Sequence, residues 1–177
     1  LEKDDLGFEL MKIQHKKLRK EYGGKLVPFK DLTKPYQLAI IHYMAIDGEA
    51  WGLFGNMDCY CNSTPSKIKR ELEKNLPEYI KRHGRRKFGV MNLPIDICKK
   101  LIMKVEAIAG ESLEKEHGSF DEYHAWYTTY DMPNHTNRNP YPCILSSFND
   151  ELFQDGWHRF HRYVELKMKM IPCVYYP

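Results

Sequence analysis

The sequence predicts an α+β fold: a small mixed sheet with a helical extension before it. Three observations lead there. Apolar residues recur at helical spacing through most of the first half of the 177-residue chain. In the second half, short apolar runs bounded by turn residues, at 88–93, 143–148, 151–154 and 171–176, read as strands. Helical segments with their own start and stop signals lie between those runs. With 42% hydrophobic and 13% aromatic residues the chain can bury a core, which excludes a disordered class. Residues 1–87 read as a helical N-terminal region. Residues 88–177 read as the sheet domain, with an aromatic helical insertion at about 111–142.

Taken in order, Leu6, Leu10, Ile13 and Leu18 mark an amphipathic helix that stops at Gly23-Gly24. Val27 to Phe29 is a short extended link. Thr33 can cap a second helix with Pro35 in its first turn, running through Leu38, Ile41, Met44 and Ala45 to a turn at Asp47-Gly48. An irregular aromatic and cysteine-rich segment spans Trp51 to Asn62. Ser66 then caps a basic helix, disturbed at Pro77 and ended by Gly84. Phe88 to Leu93 is a strand. Pro94 opens a helix striped by Ile97, Leu101, Ile102, Val105 and Ile108 and closed by Gly110. Ser119 and Glu122 form a capping box for an aromatic helix carrying Tyr123, Trp126, Tyr127 and Tyr130. A Pro/Asn-rich loop follows from Asp131 to Pro142. Cys143–Phe148 and Glu151–Gln154 read as a hairpin turning at Asn149-Asp150. Trp157 to Lys167 is helical, and Ile171 to Tyr176 is the last strand.

The net charge of +3 conceals a split. From Lys67 to Lys87 nine bases face three acids, a local charge of +6; from Glu106 to Asp155 ten acids face two bases, a local charge of −8. The basic segment suits phosphates or an acidic partner, and the acidic segment a basic partner; the plainer reading of each is a solvated face. No apolar stretch approaches the roughly 20 residues that span a bilayer, and no secretory h-region is visible. Five cysteines without a regular framework suit a reducing compartment. The expectation is a cytoplasmic protein.

One junction concentrates chemistry. A strand ends at Asp155-Gly156, and a helix opens with His158 and Arg159 in its first turn. A helix N-terminus offers free N–H groups and partial positive charge to an anion. Gly156 admits close approach to the backbone. Arg159 supplies a planar fork of donors, and His158 a donor or a proton. Asp155 can hold either side chain, accept a proton or meet a metal ion, and Arg162 with His161 extends the patch one turn on. The plainer reading is a capped turn with Arg159 paired to an acid.

Residues 155–174 (DGWHRFHRYVELKMKMIPCV) resemble the nucleotide-binding box of the ParB/sulfiredoxin superfamily: a D-G-x-H-R turn, a helix, a basic link and an I-P-x-V strand. The hairpin before it and the strand and helix from Phe88 to Ile97 are similar to the family's as well. The resemblance covers residues 88–177 and implies a ParB/sulfiredoxin-like sheet whose turn binds a nucleoside triphosphate, ATP or CTP, with Mg²⁺. It implies phosphate contacts from Gly156, His158 and Arg159 and a supporting or metal-linked carboxylate at Asp155; Arg162 is a further candidate contact, and His158 with Asp155 the candidate catalytic pair for NTP hydrolysis or phosphoryl transfer. Trp157 stands where sulfiredoxin has its catalytic Cys, which sets peroxiredoxin repair aside. No helix-turn-helix follows the last strand within the sequence, which sets centromere recognition aside. Two other classes stay open: a non-enzymatic protein-binding or inhibitory accessory module of a plasmid or phage, and a nucleic-acid-binding protein or nuclease.

Other candidates are weaker. Cys59 and Cys61 lack the further ligands of a metal site. His117, His124 and His135 with Asp121, Glu122 and Asp131 read as the wet side of an aromatic helix. Ser146 and Ser147 lack a nucleophile-elbow context. Asp47 and Glu49 mark a helix end. The aromatic residues of 123–130 suit base stacking, but helical spacing assigns them to the core.

Overall fold

A computed structural model describes residues 14–46, 64–104, 112–130, 141–146 and 151–177. Expectations at Asp47-Gly48, Trp51 to Asn62, Val105 to Gly110, Asp131 to Pro140 and the turn at Asn149-Asp150 lie outside the described residues. The elements are α1 (helical at 14–22), β1 (Gly23–Pro28), α2 (Lys34–Ile46), α3 (Pro65–His83), β2 (Lys87–Pro94), α4 (Ile95–Lys104), α5 (Leu113–His117), α6 (Phe120–Tyr130), β3 (Cys143–Leu145), β4 (Phe153–Asp155), α7 (Trp157–Glu165) and β5 (Met170–Tyr175). The fold is α+β around one mixed five-stranded sheet of order β1-β2-β5-β3-β4. Among the described residues β3–β5 is the one parallel pair. Among the described residues no helix is long and apolar enough to cross a membrane.

Alternation along the strands divides the core in two. Met91, Leu93, Cys143, Leu145, Ile171, Cys173 and Tyr175 point to one face, where Ile95, Ile102, Tyr123, Tyr127, Phe160 and Tyr163 of α4, α6 and α7 cover them. Phe88, Ile144 and Val174 point to the other, under Leu38, Ile40 and Ile41 of α2 and Leu72 of α3. The strands are therefore apolar on both sides, as interior strands between two helical layers must be. Four successive buried residues, Leu38 to Ile41, place α2 against the sheet and also beneath α3.

Several local signals act as the sequence predicts. Ser119 accepts from the Glu122 N–H at 3.2 Å while Glu122 accepts from the Ser119 N–H at 3.1 Å, closing the capping box. The antiparallel β3–β4 pair forms, although β3 ends at Leu145. Others differ. The cap of α3 is Thr64, whose Oγ1 accepts from the Lys67 N–H, not Ser66. Pro65 is the reason: proline favours the first helical position, so the residue before it becomes the cap. Pro77 sits exposed within an unbroken α3.

The larger difference is at Gly23. The first helix does stop before Gly23, but residues 23–28 that follow are not a short link; they form an edge strand paired with β2. Lys25 and Leu26 of this strand are exposed, so the apolar alternation of a half-buried strand is missing. The N-terminal helices share the sheet's core; α2 and α3 form its second helical layer. Gly89 is required where β2 meets β5, because a Cβ there would stand 2.0 Å from Cζ of Tyr175.

Ile144 is fully buried at the centre of the α2 face. Ile144→Ala is expected to cost about 2–5 kcal/mol, read as a lowered midpoint of urea unfolding. A loss under about 0.5 kcal/mol would show that this layer is not packed.

Candidate functional site

The turn between β4 and α7 is built from three residues. Gly156 caps α7 in a left-handed conformation, φ +101°. A Cβ there would lie 3.0 Å from both Cα of Cys143 and Nη2 of Arg159, so backbone angle and space both demand glycine. The Phe160 N–H closes the first helical bond on the Gly156 carbonyl at 2.8 Å. The amides of 157–159 precede that bond and have no intrahelical acceptor. Arg159 folds back over Gly156, and its Nη2 donates to Oδ2 of Asp155 at 3.2 Å. Its Nε–H is buried with no oxygen or nitrogen acceptor among the described residues, and the guanidinium lies against the Cys143 thiol.

The pair sits in a low-dielectric place, with side-chain exposures of 13% for Arg159 and 26% for Asp155. Burial opposes the charge on Asp155. The Arg159 guanidinium, His42 and the Gly156 N–H together outweigh it and hold the carboxyl below its ordinary range. Burial likewise opposes charge on Arg159, and Asp155 more than compensates. His42 reaches this pair from α2; burial pushes its imidazole down to about 4, with Asp155 acting upward and Arg159 downward. Cys143, on β3 beneath the turn, is pushed up to about 12 by burial, so its thiol is no nucleophile.

Asp155, Gly156 and Arg159 thus come together as one unit, whereas His158 and Arg162 point elsewhere. Neighbours on a helix diverge by about 100°. His158 faces α6, where its Nδ1 lies 2.9 Å from the Tyr127 hydroxyl. Arg162 donates to Glu165 at 2.6 Å on the outer side of α7. His161, fully buried, faces α6 with His158: its Nδ1 is 2.7 Å from Nδ1 of His124, and its ring stacks on Tyr127 at 3.8 Å. The rungs His124–His161 and Tyr127–His158 therefore tie α6 to α7.

His42 escaped the sequence reading. The available signal was a lone histidine in the apolar run of α2, uninformative without knowing that α2 packs beside β3. His117 lies tilted against the rings of Tyr123 and Trp126 and belongs to no ligand set among the described residues. Among the described residues no group of three His, Cys, Asp or Glu converges as a metal site. Ser146 is buried, and Cys59, Cys61, His135, Asp131 and Ser147 lie outside the described residues. No family model, curated protein or solved structure matches the chain.

His161 is pushed down to about 3 by burial first and by His124 and His158 next, and His42 to about 4. The unfolded chain binds protons near pH 6.5, which these buried imidazoles refuse. Stability is therefore complete above about pH 6.5 and falls as pH drops toward 4, by about 3 kcal/mol or more. Urea midpoints measured from pH 7.5 to 4.5 check this, with a shallower slope expected for His161→Phe. A flat profile for the wild type would contradict the burial of both imidazoles.

Proposed function

We propose that the β4–α7 turn binds the phosphates of a nucleotide, with Arg159 as the principal ligand and the first-turn amides of α7 beside it. One observation carries the reading: a guanidinium folded over a glycine-capped helix N-terminus, with Nη2 on Asp155 and a buried Nε–H without an oxygen or nitrogen acceptor among the described residues. A guanidinium placed this way is neutralised by Asp155 at rest. It gains a second partner, or exchanges the first, when a phosphate oxygen enters. His42, neutral at rest because burial lowers its imidazole, is a second group near the pair, and a phosphate beside it would draw it toward the protonated form. The reading agrees with what the ParB/sulfiredoxin resemblance implies for Gly156 and Arg159. It alters the role of His158, whose Nδ1 engages Tyr127.

The residues present fit Mg²⁺ only as a companion of the phosphates. Asp155 is the one carboxylate of the turn, and it is engaged by Arg159 and by the Gly156 N–H. Magnesium of this kind is held by one or two carboxylates plus substrate phosphates, and would supply charge neutralisation there. The arrangement supports binding more directly than hydrolysis, because a carboxylate held well ionised by Arg159 is a weak base.

Calorimetric titration with ATP, CTP and GTP, with and without Mg²⁺, tests the proposal. At least one is expected to bind with Kd below about 1 mM, and Arg159→Ala to weaken it about tenfold or more. Arg159→Lys keeps the charge but loses the fork, and should fall between. Absence of binding by all three nucleotides, or binding indifferent to both variants, would reject the reading.

A further inference from the structure

The outer face of α3 carries a line of bases with no assigned task. Lys67, Arg70, Lys74 and Lys81 are spaced by three, four and seven residues, which sets them on one stripe of the helix. Ile68, Leu72, Leu76, Tyr79 and Ile80 form the opposite, core-facing side. All four bases are exposed and make no ion pair with a described residue. Of the three acids of the helix, Glu73 pairs with Lys34 and Lys69 and Glu78 with Arg82, while Glu71, beside Lys67 and Lys74 on the helix, leaves the stripe with an excess of positive charge all the same. The stripe is about 21 Å long. Beyond the helix end Arg85, Lys87 and, beside Gly84, Lys30 are further exposed bases.

We propose that this stripe binds the phosphate backbone of a nucleic-acid duplex without reading its sequence. Charge complementarity calls for a polyanion, and the composition of the face selects among polyanions. Its exposed side chains are Ser66, Lys67, Lys69, Arg70, Lys74, Pro77, Glu78, Lys81 and Arg82, and none is aromatic. Protein interfaces are anchored by buried aromatic or aliphatic groups, and single strands by stacked bases on aromatic platforms. Neither device is present on this face. Bases strung along one side of a rigid helix match a duplex backbone, which offers regular phosphates and requires only cations. The surface is separate from the β4–α7 turn, on the outer helix of the opposite layer from α7.

Fluorescence anisotropy with a labelled random-sequence DNA duplex tests the proposal. Between about 50 and 200 mM salt, log K is expected to fall against log salt with a slope near −3.6, the value for four phosphate contacts. Replacing Lys67, Arg70, Lys74 and Lys81 by Gln together should weaken binding at least tenfold at low salt and flatten the slope toward zero. Replacing Lys100, Lys104, Lys115 and Lys169 by Gln makes the same change in net charge off the stripe, and should leave the slope unchanged. Arg159→Ala should do likewise, which separates this surface from the nucleotide reading. Undetectable binding of the wild type at 50 mM salt overturns the proposal, as does equal weakening by both quadruple variants. Binding of polyglutamate as tight as that of the duplex would assign the stripe to acidic proteins and overturn it too.

Discussion

A half-buried carboxylate–guanidinium pair spanning one glycine governs the geometry of this protein's most chemically equipped corner. Asp155 ends β4, Gly156 reverses the chain, and Arg159 returns over the reversal to meet the carboxylate. Neither charge would be tolerated there alone. Removing a buried ion from water costs several kcal/mol, and only a partner with good geometry offsets it. The pair also fixes the start of α7 relative to β3, since Cys143 and the guanidinium leave no room for a side chain at position 156. From that start follow the burial of Phe160 and Tyr163 and the alignment of His158 and His161 with α6.

The two helical layers give the turn its two neighbourhoods. On one side α6 and α7 are joined by imidazole and phenol groups and by stacked rings, a polar seam inside an apolar layer. On the other, α2 brings His42 toward the Asp155–Arg159 pair. Because α2 is itself covered by α3, the apolar side of α3 is used up in packing, and its basic side is left to solvent. Position in the fold thus separates a recessed cationic group suited to a small anion from a long exposed stripe suited to an extended one.

What the sequence revealed was local. The Ser119–Glu122 box, the stop at Gly84 and the apolar runs of β2 and β5 depend on residues a few places apart, and they form much as read. The helix start at Thr64 was displaced by two residues because a proline follows it. Edge strand β1 was hidden because its exposed residues need no apolar pattern. At the turn, Asp155, Gly156 and Arg159 could be grouped from spacing alone, since one helical turn brings positions 155 and 159 together. His158 was grouped with Arg159 because the two are adjacent in sequence, although adjacency on a helix separates side chains. His42 was out of reach, since its neighbours lie more than a hundred positions away and only packing unites them.

The central claim is that Asp155 and Arg159 form one energetic unit. A double-mutant cycle of Asp155→Asn and Arg159→Gln, followed by urea unfolding at pH 7.5, measures it directly. A coupling energy of about 2 kcal/mol or more is expected, because each single change leaves a largely desolvated charge without its partner and the double change does not. Coupling below about 0.5 kcal/mol, with additive single losses, would show that the two groups merely lie near each other, and would contradict the claim.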